Sequence, residues 1–170
     1  MAVRKIIKYP EKILREKTAQ VGEFDPELQK LIDDMIETMY AAPGVGLAAN
    51  QVGVSKQLAV IDISVREENA PLIILVNPVI TLQEGEDEAE EGCLSIPDYT
   101  TVLKRALKVK VKALDRHGKP LELEAQGLLA RALQHEIDHL NGILFVDRMS
   151  RIKREFFKKR YAREKLLSMN

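Results

Sequence analysis

The chain has 170 residues, with 26 Lys+Arg balanced by 26 Asp+Glu and a formal net charge of zero, a length that suits one domain. With 45% hydrophobic and 31% charged residues it can bury a core, which excludes a disordered chain, and the zero balance excludes nucleic-acid binding over the whole surface. The single cysteine excludes an internal disulfide, and no stretch approaches the run of about 18 apolar residues that a membrane span needs.

The first residues, MAVRKIIKYPEK, carry early bases but no apolar region behind them, so they do not form a secretion signal. A cytoplasmic protein is expected. Asp25-Pro26-Glu27 reads as a cap, a proline at the first helical position and an acid that suits the helix dipole. Behind it Leu28, Leu31, Ile32, Met35, Ile36 and Met39 recur at three- and four-residue steps, predicting an amphipathic helix that Pro43 and Gly44 end. Gln57–Ser64 and Pro71–Val76 are rich in Val, Ile and Leu and predict strands.

Residues 84–91 carry six acids and read as a solvated face. Leu107, Val109, Val111 and Ala113 alternate with Lys108, Lys110 and Lys112, predicting a strand with one wet face. Asp115-Arg116-His117-Gly118 supplies turn chemistry, and Leu121–Ala125 returns as the hairpin partner. A helix is predicted from Gly127 to Asn141, stopped by Gly142, and Ser150 caps a last helix on which Ile152, Phe156, Tyr161 and Leu166 keep helical spacing. Strands in the middle and helices at the ends, without regular alternation, predict an α+β fold. Antiparallel or mixed strands would pack around a central metal-binding helix, with a C-terminal helix beyond it, all within a single domain over residues 1–170.

The helix that carries chemistry contains His135-Glu136-Ile137-Asp138-His139. At 100° per residue the two histidines fall about 40° apart, one turn from each other, where two imidazoles can chelate one ion. Glu136 and Asp138 each lie about 80° from the mean ligand direction, so angle alone does not choose a base; the longer Glu136 reaches a water at the metal more easily. Leu128 and Ala132 share the ligand face, where apolar and small side chains leave room for an apolar substrate group. A catalytic site needs a third ligand. His117 sits in a turn, no histidine follows His139, and Glu155 lies in a basic stretch, which leaves Cys93 in Glu91-Gly92-Cys93-Leu94-Ser95.

Gly44-Val45-Gly46-Leu47-Ala48-Ala49-Asn50-Gln51, Glu91-Gly92-Cys93-Leu94-Ser95 and Gln134-His135-Glu136-Ile137-Asp138-His139 together resemble the three signatures of the peptide deformylase family, in its order and at similar separations. The ending in a polar helix without long insertions is similar to the type 1 bacterial and organellar members. The resemblance implies a hydrolase that removes the N-formyl group from the initiating methionine of new polypeptides and releases formate. It implies Cys93, His135 and His139 as ligands, Glu136 as general acid/base, and Gln51 with the Leu94 N–H as oxyanion donors. It also implies Fe²⁺ as the usual ion, with Zn²⁺, Ni²⁺ or Co²⁺ as substitutes. Val45, Leu128 and Ala132 are candidates for the methionine pocket. Gly44 and Gly46 either let backbone pair edge-on with the extended substrate or form a strained turn after the helix. Glu91 and Arg105 would pair to brace the Cys93 segment.

The last helix carries eight bases and two acids over residues 151–165, and the resemblance makes the ribosome a partner through it, with the protein otherwise a monomer and no membrane involved. A small metallopeptidase is the competing enzyme, disfavoured by the missing downstream histidine. An inactive metal-stabilised interaction protein is the competing binder, disfavoured because every catalytic position is filled.

Overall fold

The structure, a computed structural model, describes residues 2–168. Strand β2, Leu58–Ile61, is buried along its whole length because both of its faces are covered. Leu58 and Val60 point toward helix α1, Pro26–Ala41, and pack with Leu28, Ile32 and Met35. Ala59 and Ile61 point the other way, toward helix α2, Gly127–Leu140. The predicted cap is present: Asp25 Oδ1 accepts from Leu28 N–H at 2.9 Å.

Around β2 the chain builds a five-stranded antiparallel sheet in the order β1-β2-β3-β6-β7. Here β1 is Gly46–Ala48, β3 Ile73–Glu84, β6 Lys108–Leu114 and β7 Pro120–Gln126. The hairpin β6–β7 follows the alternation: Val109, Val111 and Ala113 are buried, and Lys108 and Lys112 reach Glu124 and Glu122 across the strands at 2.6 and 3.6 Å. Leu107 departs from the expectation, standing 42% exposed before the strand begins. His117 is exposed in the turn, away from the other histidines, as expected.

Three segments differ from the sequence reading. β3 does not stop near Val76; it runs on through Asn77 and Pro78, with a register shift between Val76 and Val79. Asn77 takes the left-handed conformation there (φ 51°), and its side chain bonds Val21 N–H and O, so an Asn-Pro pair that usually ends a strand sits in a bulge. The acidic run is not merely a solvated face. Asp87–Cys93 forms β4, paired antiparallel with β5, Ile96–Arg105, as a separate two-stranded sheet. Glu88 and Glu90 face outward, but Glu91 is buried. Helix α3, Arg151–Ser168, is capped by Ser150 Oγ, which accepts from Lys153 N–H at 3.3 Å. Of Ile152, Phe156, Tyr161 and Leu166, only Tyr161 packs, edge-on to Tyr9, and the other three are exposed. Phe157 is the buried residue, in ring contact with Tyr9 and Tyr99. Among the described residues no helix is long and apolar enough to cross a membrane.

The N-terminal arm is tied to α1 by Asp34, buried on the inner face of that helix. The Lys30 ammonium, against the opposing effect of burial, and then the Ala2 N–H and the Arg4 guanidinium hold its carboxyl at about 2. Because the folded value lies below the ordinary 3.8, the arm's attachment is fully present above pH 4 and weakens as pH falls toward 2. Thermal melts between pH 5 and 2 are expected to show a smaller acid-induced drop in Asp34→Asn than in the unaltered chain. An equal drop would place the effect elsewhere.

Candidate metal centre

Every residue of α2 from Ala130 to Leu140 is buried, which holds His135, Glu136 and His139 away from bulk water. The helix's last carbonyls are taken by side chains: Asn50 Nδ2 donates to His139 O at 2.6 Å, and Thr18 Oγ1 and Gln57 Nε2 donate to Leu140 O at 2.9 and 3.1 Å. From the other side, the tight turn between β4 and β5 presents Cys93.

The donor atoms of Cys93, His135 and His139 all lie within 4.8 Å of one another. His135 Nε2 and His139 Nε2 are 3.1 Å apart, and Cys93 Sγ is 3.3 Å from His139 Nε2. A tetrahedral ion with the usual bond lengths would space two nitrogens at about 3.3 Å and a sulfur and a nitrogen at about 3.6 Å. These two separations therefore suit one ion with little movement. Glu91 Oε1 accepts from His135 Nδ1 at 2.6 Å, which places the proton on Nδ1 and leaves Nε2 as the donor toward the metal. Burial pushes the Cys93 thiol up, but the neighbouring His139 and His135 outweigh it and hold it well below its ordinary value, the direction a thiolate ligand requires.

Behind the triad lies a buried ion network. Glu91 is paired with Arg105 through two bonds of 2.6 and 3.1 Å, as the sequence suggested, and also with Arg131 at 2.9 Å. Burial raises the Glu91 carboxyl, but the bonds from His135 and Arg105 outweigh it and keep it ionised far into acid. Arg105 continues to Asp138 at 2.6 Å, and Arg148 closes on Asp138 at 2.8 Å. Asp138, which helix angles left as a possible base, is thus committed to two arginines. Glu136 is different. Its Oε1 is buried with no partner among the described residues, and burial raises its carboxyl against the pull of His135 and His139.

Gln51 brings its amide to the same place. Its Oε1 accepts from Ala48 N–H at 2.9 Å, so Nε2 is turned toward Ser95 Oγ at 3.0 Å and Cys93 Sγ at 3.6 Å. A groove of about 740 Å³ opens in front, lined by Val45, Gly46, Leu94, Leu128 and Ala132 together with Cys93, His135 and Glu136. Every residue assigned a ligand, catalytic or pocket role from sequence borders this groove except His139, which is fully buried beneath it. Neither Gly44 nor Gly46 has a positive φ, so the strained-turn reading fails. Gly46 is instead a close-approach position: a Cβ there would stand 2.5 Å from Glu136 Oε2. Gly46→Ala is expected to fold, because the clash is with a side-chain end. A displacement of about 1 Å at Glu136 should cost roughly 10²-fold in turnover. Wild-type turnover in that variant would contradict the placement.

Sequence reasoning missed Glu91 as the partner of His135 and missed Arg131, and it gave no role to Asn50 or Ser95, which stand within the signature segments. Alternation along β4 turns Glu91 inward while Glu88 and Glu90 face outward, but a run of six acids hides that register in the sequence.

Residues 3–155 match the polypeptide deformylase family. A peptide deformylase of Thermodesulfovibrio yellowstonii is 59% identical over 165 residues, covering 97% of this chain and 100% of the relative. A crystal structure of a peptide deformylase from Legionella pneumophila matches with a TM-score of 0.89 at 51% identity, covering 99% of both chains. That of a peptide deformylase from Synechococcus elongatus in complex with actinonin matches with a TM-score of 0.86 at 40% identity, covering 95% of this chain and 94% of that one.

Proposed function

The chain belongs to the polypeptide deformylase family, and on that premise we propose how its own residues perform the family's reaction. It is a metal-dependent hydrolase that removes the N-formyl group from the N-terminal formylmethionine of newly made polypeptides and releases formate. The observation that carries the assignment of roles is the buried Glu136 Oε1, without a partner among the described residues, beside three converging donor atoms.

Cys93, His135 and His139 hold one divalent ion, with Fe²⁺ as the resident metal and Zn²⁺, Ni²⁺ or Co²⁺ as substitutes. When bound, the ion supplies Lewis acidity toward a water and toward the formyl oxygen. Glu136 takes the proton of the attacking water and passes it to the leaving nitrogen, which departs as the free amine. Its raised carboxyl suits both halves of that transfer. The charge that develops on the formyl oxygen is met by Gln51 Nε2 and by the Leu94 N–H, which donates to no protein group among the described residues. β1 is an edge strand of its sheet, so the substrate backbone pairs along Val45 and Gly46, and the methionine side chain lies against Val45, Leu128 and Ala132.

Residues 1–170 act as one catalytic domain, a monomer in the cytoplasm. The exposed bases of α3, among them Lys153, Arg154, Lys158, Lys159 and Arg163, meet ribosomal RNA in a weak, salt-sensitive contact. Removing α3 should abolish ribosome co-sedimentation at low salt; undiminished binding would remove that role. The ion is tested by loading the metal-free protein anaerobically with each of the four metals. One equivalent should bind, with formate release fastest for Fe²⁺. Faster turnover with Zn²⁺ would overturn the choice of metal and leave the ligands standing.

A further inference from the structure

The N-terminal arm reaches the metal centre from outside. Ile7 N–H donates to Gln51 O at 2.7 Å, and Tyr9 N–H donates to Ser95 O at 2.8 Å. These alternate backbone bonds fix the register of the residue between them. Lys8 Nζ donates to Leu94 O at 2.9 Å. The Leu94 carbonyl and the Ser95 N–H belong to the same peptide unit, and that N–H donates to Cys93 Sγ at 3.4 Å. A cation thus sits at one end of a conjugated amide and the sulfur at the other.

We infer that Lys8 is a positioning residue for the metal centre, acting through the Leu94–Ser95 peptide unit on the Cys93 sulfur. A cation on an amide oxygen draws electron density through the C–N bond, whose partial double-bond character couples the two ends. The N–H becomes a stronger donor, by the order of 10–30% that hydrogen-bonded chains show. A stronger N–H bond withdraws charge from the thiolate, so the sulfur gives less of it to the ion and the ion keeps more of its Lewis acidity. Lys8 also holds the plane of this peptide, so that the N–H continues to face the sulfur. Lys8 is itself exposed, and its removal deletes one hydrogen bond without opening the core. The inference rests on Cys93 being a ligand, and the experiment separates failure of one from failure of the other.

The full chain is loaded with Co²⁺, and the sulfur-to-cobalt charge-transfer absorption is recorded for the unaltered protein, Cys93→Ser, Lys8→Met and Lys8→Arg. The unaltered protein should show the band and Cys93→Ser should lack it. Lys8→Met should move the band to lower energy, because the sulfur has become a better electron donor. Its kcat should fall roughly three- to tenfold, less than the 10- to 100-fold of a direct outer partner, with KM within about twofold. Lys8→Arg keeps a donor at Leu94 O and should restore both band and kcat. A lower melting temperature with an unmoved band would make Lys8 structural only and overturn the inference. So would an effect confined to KM, which would make it a substrate contact. Absence of the band from the unaltered protein would remove Cys93 from the ligand set and the inference with it.

Discussion

Glu136→Gln is expected to lower deformylation by about 10²–10⁴-fold while the protein still binds one equivalent of metal, because the amide keeps the shape of the side chain and loses its proton transfer. The structure supplies the reason for so clean a separation. Glu136 lies beside the donor triad but accepts no bond from it, its Oε1 has no partner among the described residues, and Gly46 is bare so that Oε2 can lie against the backbone of β1. Burial raises the carboxyl, so the free-enzyme pH profile should show an acid limb above the ordinary carboxylate range, with activity falling as Glu136 is protonated. That limb should vanish in the residual rate of Glu136→Gln. Formate assays across pH, paired with metal analysis, check both; a variant that loses metal together with turnover would move Glu136 into the ligand set.

The second large effect is expected at Glu91. One carboxylate there satisfies Arg105, Arg131 and His135 Nδ1 together, all of them buried. Among the described residues, Glu91→Ala leaves Arg105 with Asp138 alone and Arg131 with Asp87 alone, and breaking a buried ion pair from one side costs about 3–5 kcal/mol. It also releases the His135 ring from its tautomer, for which losses of about 10- to 100-fold in metal affinity are usual. Urea unfolding of the metal-free variant separates the first effect from the second, and chelator competition on the loaded protein measures the second. A Glu91→Ala chain as stable as the unaltered one and equally tight for metal would make the network an ornament of the site. Since the Glu91 carboxyl is held below its ordinary value of 4.5, its share of stability is fully present above that value and is lost progressively as pH falls beneath it.

What was legible in the sequence follows from which contacts are local. The α1 cap, the Val-Lys alternation of β6 and the one-turn spacing of His135 and His139 depend on neighbours a few residues away, and each stands in the structure. Cys93 was reached by elimination, because the chain offers few soft donors. The rest depends on distant partners. The Glu91–Arg105 pair was expected, but the β4–β5 hairpin that makes it and the second partner Arg131 were not, because the acids look solvated until pairing turns Glu91 inward. Asn77-Pro78 reads as a strand end unless the backbone of Val21 is there to bond the Asn side chain. Reach and the resemblance favour Glu136 over Asp138, but that Asp138 is tied to Arg148, ten residues on, and to Arg105 of β5 was not legible. No local pattern marks Ile7, Lys8 and Tyr9 as the strap across Gln51, Leu94 and Ser95.

This groove is proposed to hydrolyse a formamide at an ion held by Cys93, His135 and His139, with Glu136 moving the proton. The most direct test is the anaerobically prepared Fe²⁺ protein given a short formyl-Met peptide and, in parallel, its unformylated counterpart. The expected result is one formate and one free methionyl amine per substrate consumed, with the unformylated peptide intact. Internal cleavage of either peptide without formate would contradict it and make the protein a metallopeptidase.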